Sequence, residues 1–236
     1  MNGASVAANL KAFEYGRWAY LHPADAAEVV APVMPTAQKT LAEKIAFRAS
    51  HLAVYQNAKL AAAYRGLVTK FDGEMQDAVA LGYHKLLSYK DEYEVARLLQ
   101  DTASKAKEAF EGELKLTYHL APPVVSKMGA NGRPMKREFG AMFAKAMPWL
   151  AKMKGLRGTP FDPFGYTSER KMERALIAQY EADMAMLLQN GAKGPLAVEL
   201  ARLPLEIRGF GPVKDANARK AAKRREEILA GLRQAA

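Results

Sequence analysis

Apolar residues recur three and four positions apart along two long stretches of the chain, which is the spacing of one buried face of an α-helix. The first stretch begins after Thr36, a suitable N-cap, and continues to about Val68. The second covers about residues 74–99, and the pair Asp72-Gly73 separates the two. The apolar positions are Leu41, Ile45, Leu52, Tyr55 and Leu67, then Met75, Val79, Leu86, Tyr93 and Leu98. Two long helices with so short a connection predict an antiparallel hairpin.

The rest of the chain predicts shorter elements separated by Gly- and Pro-containing breaks. Helices are predicted at about 2–17, 102–110, 138–153, 167–189, 196–203 and 216–234, the last capped by Asp215. Residues 114–120 have an extended pattern, and 124–137 and 155–166 are predicted loops. We therefore expect a mainly α fold, built on the long hairpin, with at most a short β element and coil-rich loops. Residues 1–35 are expected to be a lead-in segment, and 36–236 a single helical domain.

Composition narrows the function classes. The chain has 236 residues, a formal charge of +10 and no cysteine, so it cannot hold a disulfide, a thiolate-bound zinc or a cysteine-ligated iron–sulfur cluster. No apolar run approaches the roughly 18 residues of a membrane-spanning helix. No basic-then-apolar leader opens the sequence either, so we expect a cytoplasmic protein without a membrane partner. Basic residues are concentrated at 127–174 and 214–236. Such charge either faces water or attracts acidic proteins, nucleotide-like anions or nucleic acid.

Residues that carry chemistry are sparse. The four histidines, at 22, 51, 84 and 119, show no metal-binding spacing, so we predict no metal site. His51 and His84 are expected to be packing or surface groups. His119 is the better candidate for a functional histidine because it lies just before Pro122-Pro123, although a structural hydrogen bond is the alternative. The glycine pairs at 155–158 and 209–211 do not follow a strand, as phosphate-binding loops do. We predict no catalytic residue in this chain.

Charged residues give the strongest site prediction. Arg157 and Asp162 lie on the loop that leads into the helix carrying Arg170 and Arg174, so these four side chains are expected to converge. They fit either an anion site near a helix start or, as the interpretation we favour, an Arg–Asp network that fixes the loop. The candidates for anion or partner binding are Lys136, Arg137, Arg157, Arg170, Arg174 and Arg208. The candidates for structural or functional polar groups are Asp91, Tyr93, Arg97, His119, Asp162 and Glu206.

Six blocks of sequence resemble a known family. They are 90–98 (KDEYEVARL), 118–123 (YHLAPP), 132–140 (GRPMKREFG), 156–165 (LRGTPFDPFG), 169–174 (ERKMER) and 203–214 (LPLEIRGFGPVK). In this order they resemble the C-terminal region of indolepyruvate ferredoxin oxidoreductases, a branch of the 2-oxoacid:ferredoxin oxidoreductases. The resemblance extends from Asn9 to the basic helix at 215–234, and no catalytic residue of the family maps onto it. Residues 9–17 resemble the exit of the family's preceding domain, which implies that this chain follows that domain or accompanies a separate subunit.

The resemblance implies an enzyme that oxidatively decarboxylates aryl-2-oxoacids to acyl-CoA and reduces ferredoxin, with CoA as co-substrate. Thiamine diphosphate, magnesium and iron–sulfur clusters would then belong to other domains or subunits, so the isolated chain is expected to be colourless and inactive. The role left to this segment is assembly, a CoA or substrate gate, or a ferredoxin-docking surface. That surface would be an electropositive patch of Arg157, Arg170 and Arg174 with Lys136 and Arg137.

The alternative is a stand-alone basic helical module that binds nucleic acid or an acidic protein. Nucleic-acid binding is disfavoured, because the terminal basic helix carries no aromatic residue. Whether the chain forms an oligomer is left open by the sequence.

Overall fold

The computed structural model describes residues 6–30, 39–109, 117–120, 135 and 137–234. The chain divides into two compact units, Met1–Thr40 and Leu41–Ala236. The first unit contains α1 (Val6–Leu21) and α2 (Pro23–Val30). Proline opens α2, a position at which the amide hydrogen that proline lacks is not needed. Within the described part of the chain, no helix combines the length and the apolar character that crossing a membrane requires.

The second unit is mainly α, as predicted. Its helices are α3 (Leu41–Tyr55), α4 (Ala58–Val68), α5 (Gly73–Leu87), α6 (Glu92–Ala109), α7 (Ala141–Lys152), α8 (Ser168–Gln189), α9 (Pro195–Arg202) and α10 (Pro212–Gln234). Short 3-10 helices, Met153–Leu156 and Leu203–Glu206, follow α7 and α9. Two described strands, β1 (Tyr118–Leu120) and β2 (Arg137–Phe139), pair antiparallel. This pair is the short β element of the prediction.

The predicted hairpin lies around residues 69–72, where α4 turns into α5. Tyr64 OH donates a hydrogen bond to Ala80 O at 3.1 Å. Closer to the turn, Gln76 Nε2 donates one to Val68 O at 3.4 Å. Residues further from the turn on α4 thus pair with residues further from it on α5, which is the register of two antiparallel helices.

Each of the two predicted long helices is nevertheless broken, so the predictions of continuous helices at 36–68 and 74–99 are wrong. The first break comes at Asn57, whose backbone is extended and whose side chain accepts a hydrogen bond from Leu60 N as the N-cap of α4. The second lies between α5 and α6, where Asp91 Oδ1 accepts a hydrogen bond from Glu94 N. Both caps are short polar side chains that compete with the helical backbone.

Other boundaries also differ from the predictions. The separate helix expected at 102–110 is the end of α6. Residues 137–139 pair with β1, so the helix predicted from 138 starts only at 141. Asp215 does not cap α10, because Asp215 N already donates to Gly211 O at 3.0 Å within the first turn of a helix that starts at Pro212. The predicted loop 124–137 lies outside the described residues except at Met135 and Arg137.

The apolar core lies among α3, α4, α5, α8, α9 and α10. Three tyrosine rings stack through it: Tyr64 and Tyr83 lie 6.1 Å apart between centroids, and Tyr83 and Tyr180 lie 5.8 Å apart. α5 and α9 lie in close contact at Gly82, where a Cβ atom would lie 2.1 Å from Ala201 O. This closely packed body supports the loops that lead into α6, α8 and α10.

Candidate functional site

A buried ion pair between Arg157 and Asp91 ties the 157–167 loop to the start of α6. Arg157 Nε lies 2.5 Å from Asp91 Oδ2 and Nη2 lies 2.9 Å from Oδ1, a bidentate arrangement. Arg157 Nη1 donates to Tyr55 O at 2.9 Å, and the Tyr55 ring lies 3.7 Å from the guanidinium carbon. The two charged residues are only 6% and 3% exposed. Burial lowers the pKa of Arg157, but hydrogen bonding to Asp91 and neighbouring negative potential outweigh it, so the net shift is upward.

The Asp162 carboxylate fixes the same loop through hydrogen bonds with the loop's own backbone. Its Oδ2 accepts a hydrogen bond from Gly158 N at 3.0 Å, and its Oδ1 accepts one from Phe164 N at 3.1 Å. Oδ1 also accepts from Tyr93 OH at 2.9 Å, which ties the loop to α6 a second time. Burial, and next the hydrogen bond to Asp162, raise the pKa of Tyr93 and keep its phenol a donor. Gly165 is needed beside this carboxylate, because a Cβ there would lie 2.9 Å from Asp162 Oδ2.

α8 begins where the loop ends, with Thr167 as its N-cap: the hydroxyl accepts a hydrogen bond from Arg170 N at 3.3 Å. The Arg170 side chain turns inward, is 7% exposed and donates from Nη2 to Lys90 O at 3.2 Å. Its Nε lies 3.7 Å from Glu92 Oε2, and its Nη1 lies 3.8 Å from Glu173 Oε1. These two contacts are electrostatic, because the distances exceed those of hydrogen bonds.

Two further contacts complete the arrangement. Glu173 also pairs with Lys214, which brings the start of α10 against α8. Arg174 Nη2 donates to Gly165 O at 2.6 Å and so fastens the end of the loop to α8. We call this set the charged network; its members are Asp91, Glu92, Tyr93, Arg157, Asp162, Arg170, Glu173, Arg174 and Lys214. It joins the turn before α6, the 157–167 loop, α8 and the start of α10 at one place.

The structure brings part of the predicted site together. Of the candidate residues, the charged network contains Asp91, Tyr93, Arg157, Asp162, Arg170 and Arg174. Arg97 is held on its own helix by Glu94 and Asp101. Arg208 and Glu206 are exposed beyond the end of α9. His119 and Arg137 lie on β1 and β2, and Lys136 lies outside the described residues.

The electropositive surface expected from the arginines requires a correction. Arg157 and Arg170 are buried against carboxylates, Asp91 for the first and Glu92 with Glu173 for the second, so neither presents its charge to a partner's surface. Arg174 is half-buried and bonded to a backbone carbonyl. Arg157 takes Asp91 as its carboxylate, whereas the sequence pointed to Asp162. Whether Arg208, Arg137 or Lys136 binds an anion stays a prediction.

Several partners were missed by reasoning from sequence. Tyr55 lies 102 positions from Arg157, and Glu173 lies 41 from Lys214, so no local spacing links them. His51 and His84 were treated as separate groups, yet His51 Nδ1 lies 3.0 Å from His84 Nε2. Within the described residues, no group of three or more His, Asp or Glu side chains is arranged to hold a metal ion. The charged network fixes loops by ion pairs and hydrogen bonds. Within it, Arg170 Nε, Arg170 Nη1 and Glu92 Oε2 are buried without a hydrogen bond to any described residue and interact only electrostatically.

Comparison with known proteins gives a family but no activity. A model described as a family of unknown function (DUF6537) matches residues 41–227, which is most of the chain. The match begins at the first residue of the second compact unit. No curated protein and no solved structure matches. The chain belongs to this family of unknown function, DUF6537.

Proposed function

We propose that this chain is a docking or assembly domain of an indolepyruvate (aryl-2-oxoacid) ferredoxin oxidoreductase. In the complete enzyme, other domains or subunits would bind thiamine diphosphate, magnesium and the iron–sulfur clusters and would carry out the decarboxylation to acyl-CoA. The chain lacks cysteine, so a thiolate-ligated cluster has to be held elsewhere. This domain would contribute contacts to the neighbouring parts of the enzyme and to ferredoxin.

The observation that carries the proposal is the convergence of the resembling blocks. Blocks 90–98 and 203–214 are far in sequence from the neighbouring blocks 156–165 and 169–174, and the charged network joins all four. A buried ion pair adds little net stability over apolar packing, so folding alone does not account for so many buried charges at one place. Fixing the shape of the loops between these blocks is a use that accounts for them.

The loop held in this way exposes aromatic surface. Phe161 is 80% exposed, and Tyr166 is exposed while its hydroxyl donates to Pro160 O at 2.6 Å. The Asp162 carboxylate fixes the backbone of this loop by accepting hydrogen bonds from Gly158 N and Phe164 N. A rigid loop that presents aromatic side chains loses little conformational entropy on binding, and aromatic residues are frequent hot spots of interfaces. We infer that Phe161 contacts a neighbouring domain or subunit of the oxidoreductase.

Co-purification of the tagged chain with the other polypeptides of the oxidoreductase tests the assignment. The assembled preparation is expected to show iron–sulfur absorbance and indolepyruvate-dependent reduction of ferredoxin. A wild-type chain that elutes without any oxidoreductase polypeptide would overturn the proposal, and co-elution with nucleic acid instead would favour the stand-alone basic module.

Phe161→Ala tests the surface, with Phe47→Ala on α3 as a matched control that is also exposed. Loss of a hot-spot aromatic is expected to weaken retention of the partner polypeptides at least about tenfold. The Phe47 variant is expected to stay near wild type. Circular dichroism shows whether each variant is folded. If Phe161→Ala is folded and retains its partners as well as the control does, this loop is not the docking surface.

A further inference from the structure

The loop between α9 and α10 is held rigidly and exposes a second phenylalanine. Gly209 and Gly211 flank Phe210 with φ angles of 99° and 53°, a backbone region that favours glycine. A Cβ at Gly209 would lie 2.8 Å from Val213 Cγ1, so the chain turns tightly there. Asn217 Nδ2 donates to Arg208 O at 2.8 Å and anchors the loop to α10. Phe210 is left 67% exposed on this fixed turn.

Cations that form no ion pair among the described residues lie near this phenylalanine, with Lys90 at the ring, Arg208 two positions before it, and Lys85 close enough to Arg208 to feel its charge. Lys90 Nζ lies 5.8 Å from the centre of the Phe210 ring, within the range of a cation–π contact. Lys85, Lys90 and Arg208 are all exposed. Within the described part of the chain none of the three forms an ion pair, and Arg208 Nε donates instead to the backbone at Leu205 O. We call Lys85, Lys90, Arg208 and Phe210 the Phe210 patch.

The electrostatics around Lys85 show that this surface carries an excess of positive charge. Burial lowers the pKa of Lys85, and the charges of Lys214 and Arg208 lower it further. Glu173 opposes them, but it is already engaged by Lys214 and Arg170. An arriving carboxylate would therefore meet three exposed cations that form no ion pair with a described acidic side chain.

We propose that the Phe210 patch is a docking site for an acidic segment of a protein partner that places an apolar side chain against Phe210. The carboxylates of such a segment would pair with Lys85, Lys90 and Arg208, while burying Phe210 would supply apolar contact. Nucleic acid fits less well, because single-strand binding grooves stack successive bases on several aromatic side chains, and the Phe210 patch contains one. This inference stands on contacts of the described residues and does not depend on the oxidoreductase assignment.

Fluorescence anisotropy with the full chain tests it. The probe is a short fluorescein-labelled peptide rich in Glu with one central Leu, and single-stranded oligo-dT of similar length is the rival. Binding of the peptide is expected to weaken between about 50 and 150 mM salt, because exposed charges become more strongly screened. The triple change Lys85→Gln, Lys90→Gln and Arg208→Gln is expected to lower its affinity at least about tenfold. Phe210→Ala removes no charge and is expected to lower it about threefold to tenfold.

A control variant that removes the same number of positive charges elsewhere distinguishes binding at the Phe210 patch from attraction to the chain's overall positive charge. Arg219→Gln, Lys220→Gln and Lys223→Gln remove three exposed cations from α10 and are expected to change the affinity less than about twofold. The proposal is overturned if this control loses as much affinity as the patch variant, or if Phe210→Ala has no effect. It is also overturned if oligo-dT binds as tightly as the peptide with the same dependence on the variants. Circular dichroism confirms that each variant is folded.

Discussion

The core around Gly82 and the charged network are both buried, but they are built in different ways. In the core, helix faces meet, and the contacts are side-chain packing and the approach of α5 to the backbone of α9. In the charged network, a turn and a loop meet helix ends, and the contacts are ion pairs such as Arg157 with Asp91. The first kind of region tolerates charge poorly and the second depends on it. The comparison therefore predicts that small changes of side-chain volume destabilise the core and that changes of charge destabilise the charged network.

Removing one charge from the network is expected to have the largest effect. Asp91→Asn keeps an oxygen that can accept from Glu94 N but leaves the buried Arg157 guanidinium without its counter-charge. We expect a loss of about 3 kcal/mol or more in the free energy of unfolding, since a buried ion that loses its partner is costly. Denaturant unfolding followed by circular dichroism measures it.

The double variant Asp91→Asn with Arg157→Met sharpens this prediction. It removes the uncompensated charge while keeping similar volume, and buried ion pairs replaced on both sides by uncharged groups are often nearly neutral. The double variant should therefore be more stable than Asp91→Asn alone. Equal or greater loss in the double variant would mean that the hydrogen bond from Arg157 to Tyr55 O, and not the charge balance, dominates.

The next largest loss of stability is expected from adding a single methyl group to the core. In Gly82→Ala the new Cβ would overlap Ala201 O, and Tyr180 OH, which donates to that same oxygen at 3.0 Å, would also have to move. We expect a loss of about 2–3 kcal/mol, typical of overpacking. Gly66→Ala on α4 is the matched control, because its Cβ meets no atom within 4 Å.

The control variant Gly66→Ala is expected to gain stability, whereas Gly82→Ala is expected to lose it. Alanine inside a helix is favoured over glycine by about 0.5–1 kcal/mol, so Gly66→Ala should unfold at a higher denaturant concentration than wild type. A Gly82→Ala protein as stable as wild type would show that α5 and α9 can separate at no cost, and that the core is less rigid than its geometry implies.

The same contrast explains which elements of the fold could be predicted from the sequence. α8 agrees with the helix predicted at about 167–189, because burying one helix face, here including Tyr180 and Met184, leaves a period of 3.6 in the sequence. The breaks before α4 and α6 were missed, since apolar residues continue on both sides of Asn57 and Asp91. Periodicity records which face is buried, and it does not record where a cap interrupts the backbone.

The charged network was only half predictable for a related reason. Arginines and aspartates in Gly- and Pro-containing blocks marked Arg157, Asp162 and Arg170 as residues that converge. Their partners depend on which loop meets which helix end, so the pairing of Arg157 with Asp91 has no local signature. The exposed Phe210 carried no signal at all, because one aromatic residue between two glycines is typical of many turns.

The smallest expected effect concerns the histidine pair that lies between the two regions. His84 contacts the core through the Tyr64 ring, at 6.2 Å between centroids, and His51 contacts the network side through the Tyr55 ring at 6.3 Å. Burial, and next the charges of His51 and Arg48, lower the pKa of His84 to about 4. Burial also lowers the pKa of His51. The charge of Glu94 raises this pKa and that of Arg97 lowers it, and the net shift is downward.

The sign of the pH dependence follows from these shifts. The unfolded chain binds a proton at His84 near pH 6.5, whereas the folded chain binds it only near pH 4. Acid therefore favours the unfolded state across this window, and stability that is fully present above pH 6.5 should fall as the pH approaches 4. Because both histidines are partly exposed, water screens the effect, and we expect a loss of no more than about 1–2 kcal/mol.

His84→Gln isolates this contribution, since glutamine can still donate a hydrogen bond to His51 but does not titrate. Denaturant midpoints measured at several pH values between 7 and 4 should fall less steeply for this variant than for wild type. Carboxylates in the charged network also respond to acid, but they do so equally in both proteins, so the difference between the two curves belongs to the histidine pair. Two parallel curves would show that His84 takes up its proton without cost, and that the contact between core and network does not depend on a neutral pair.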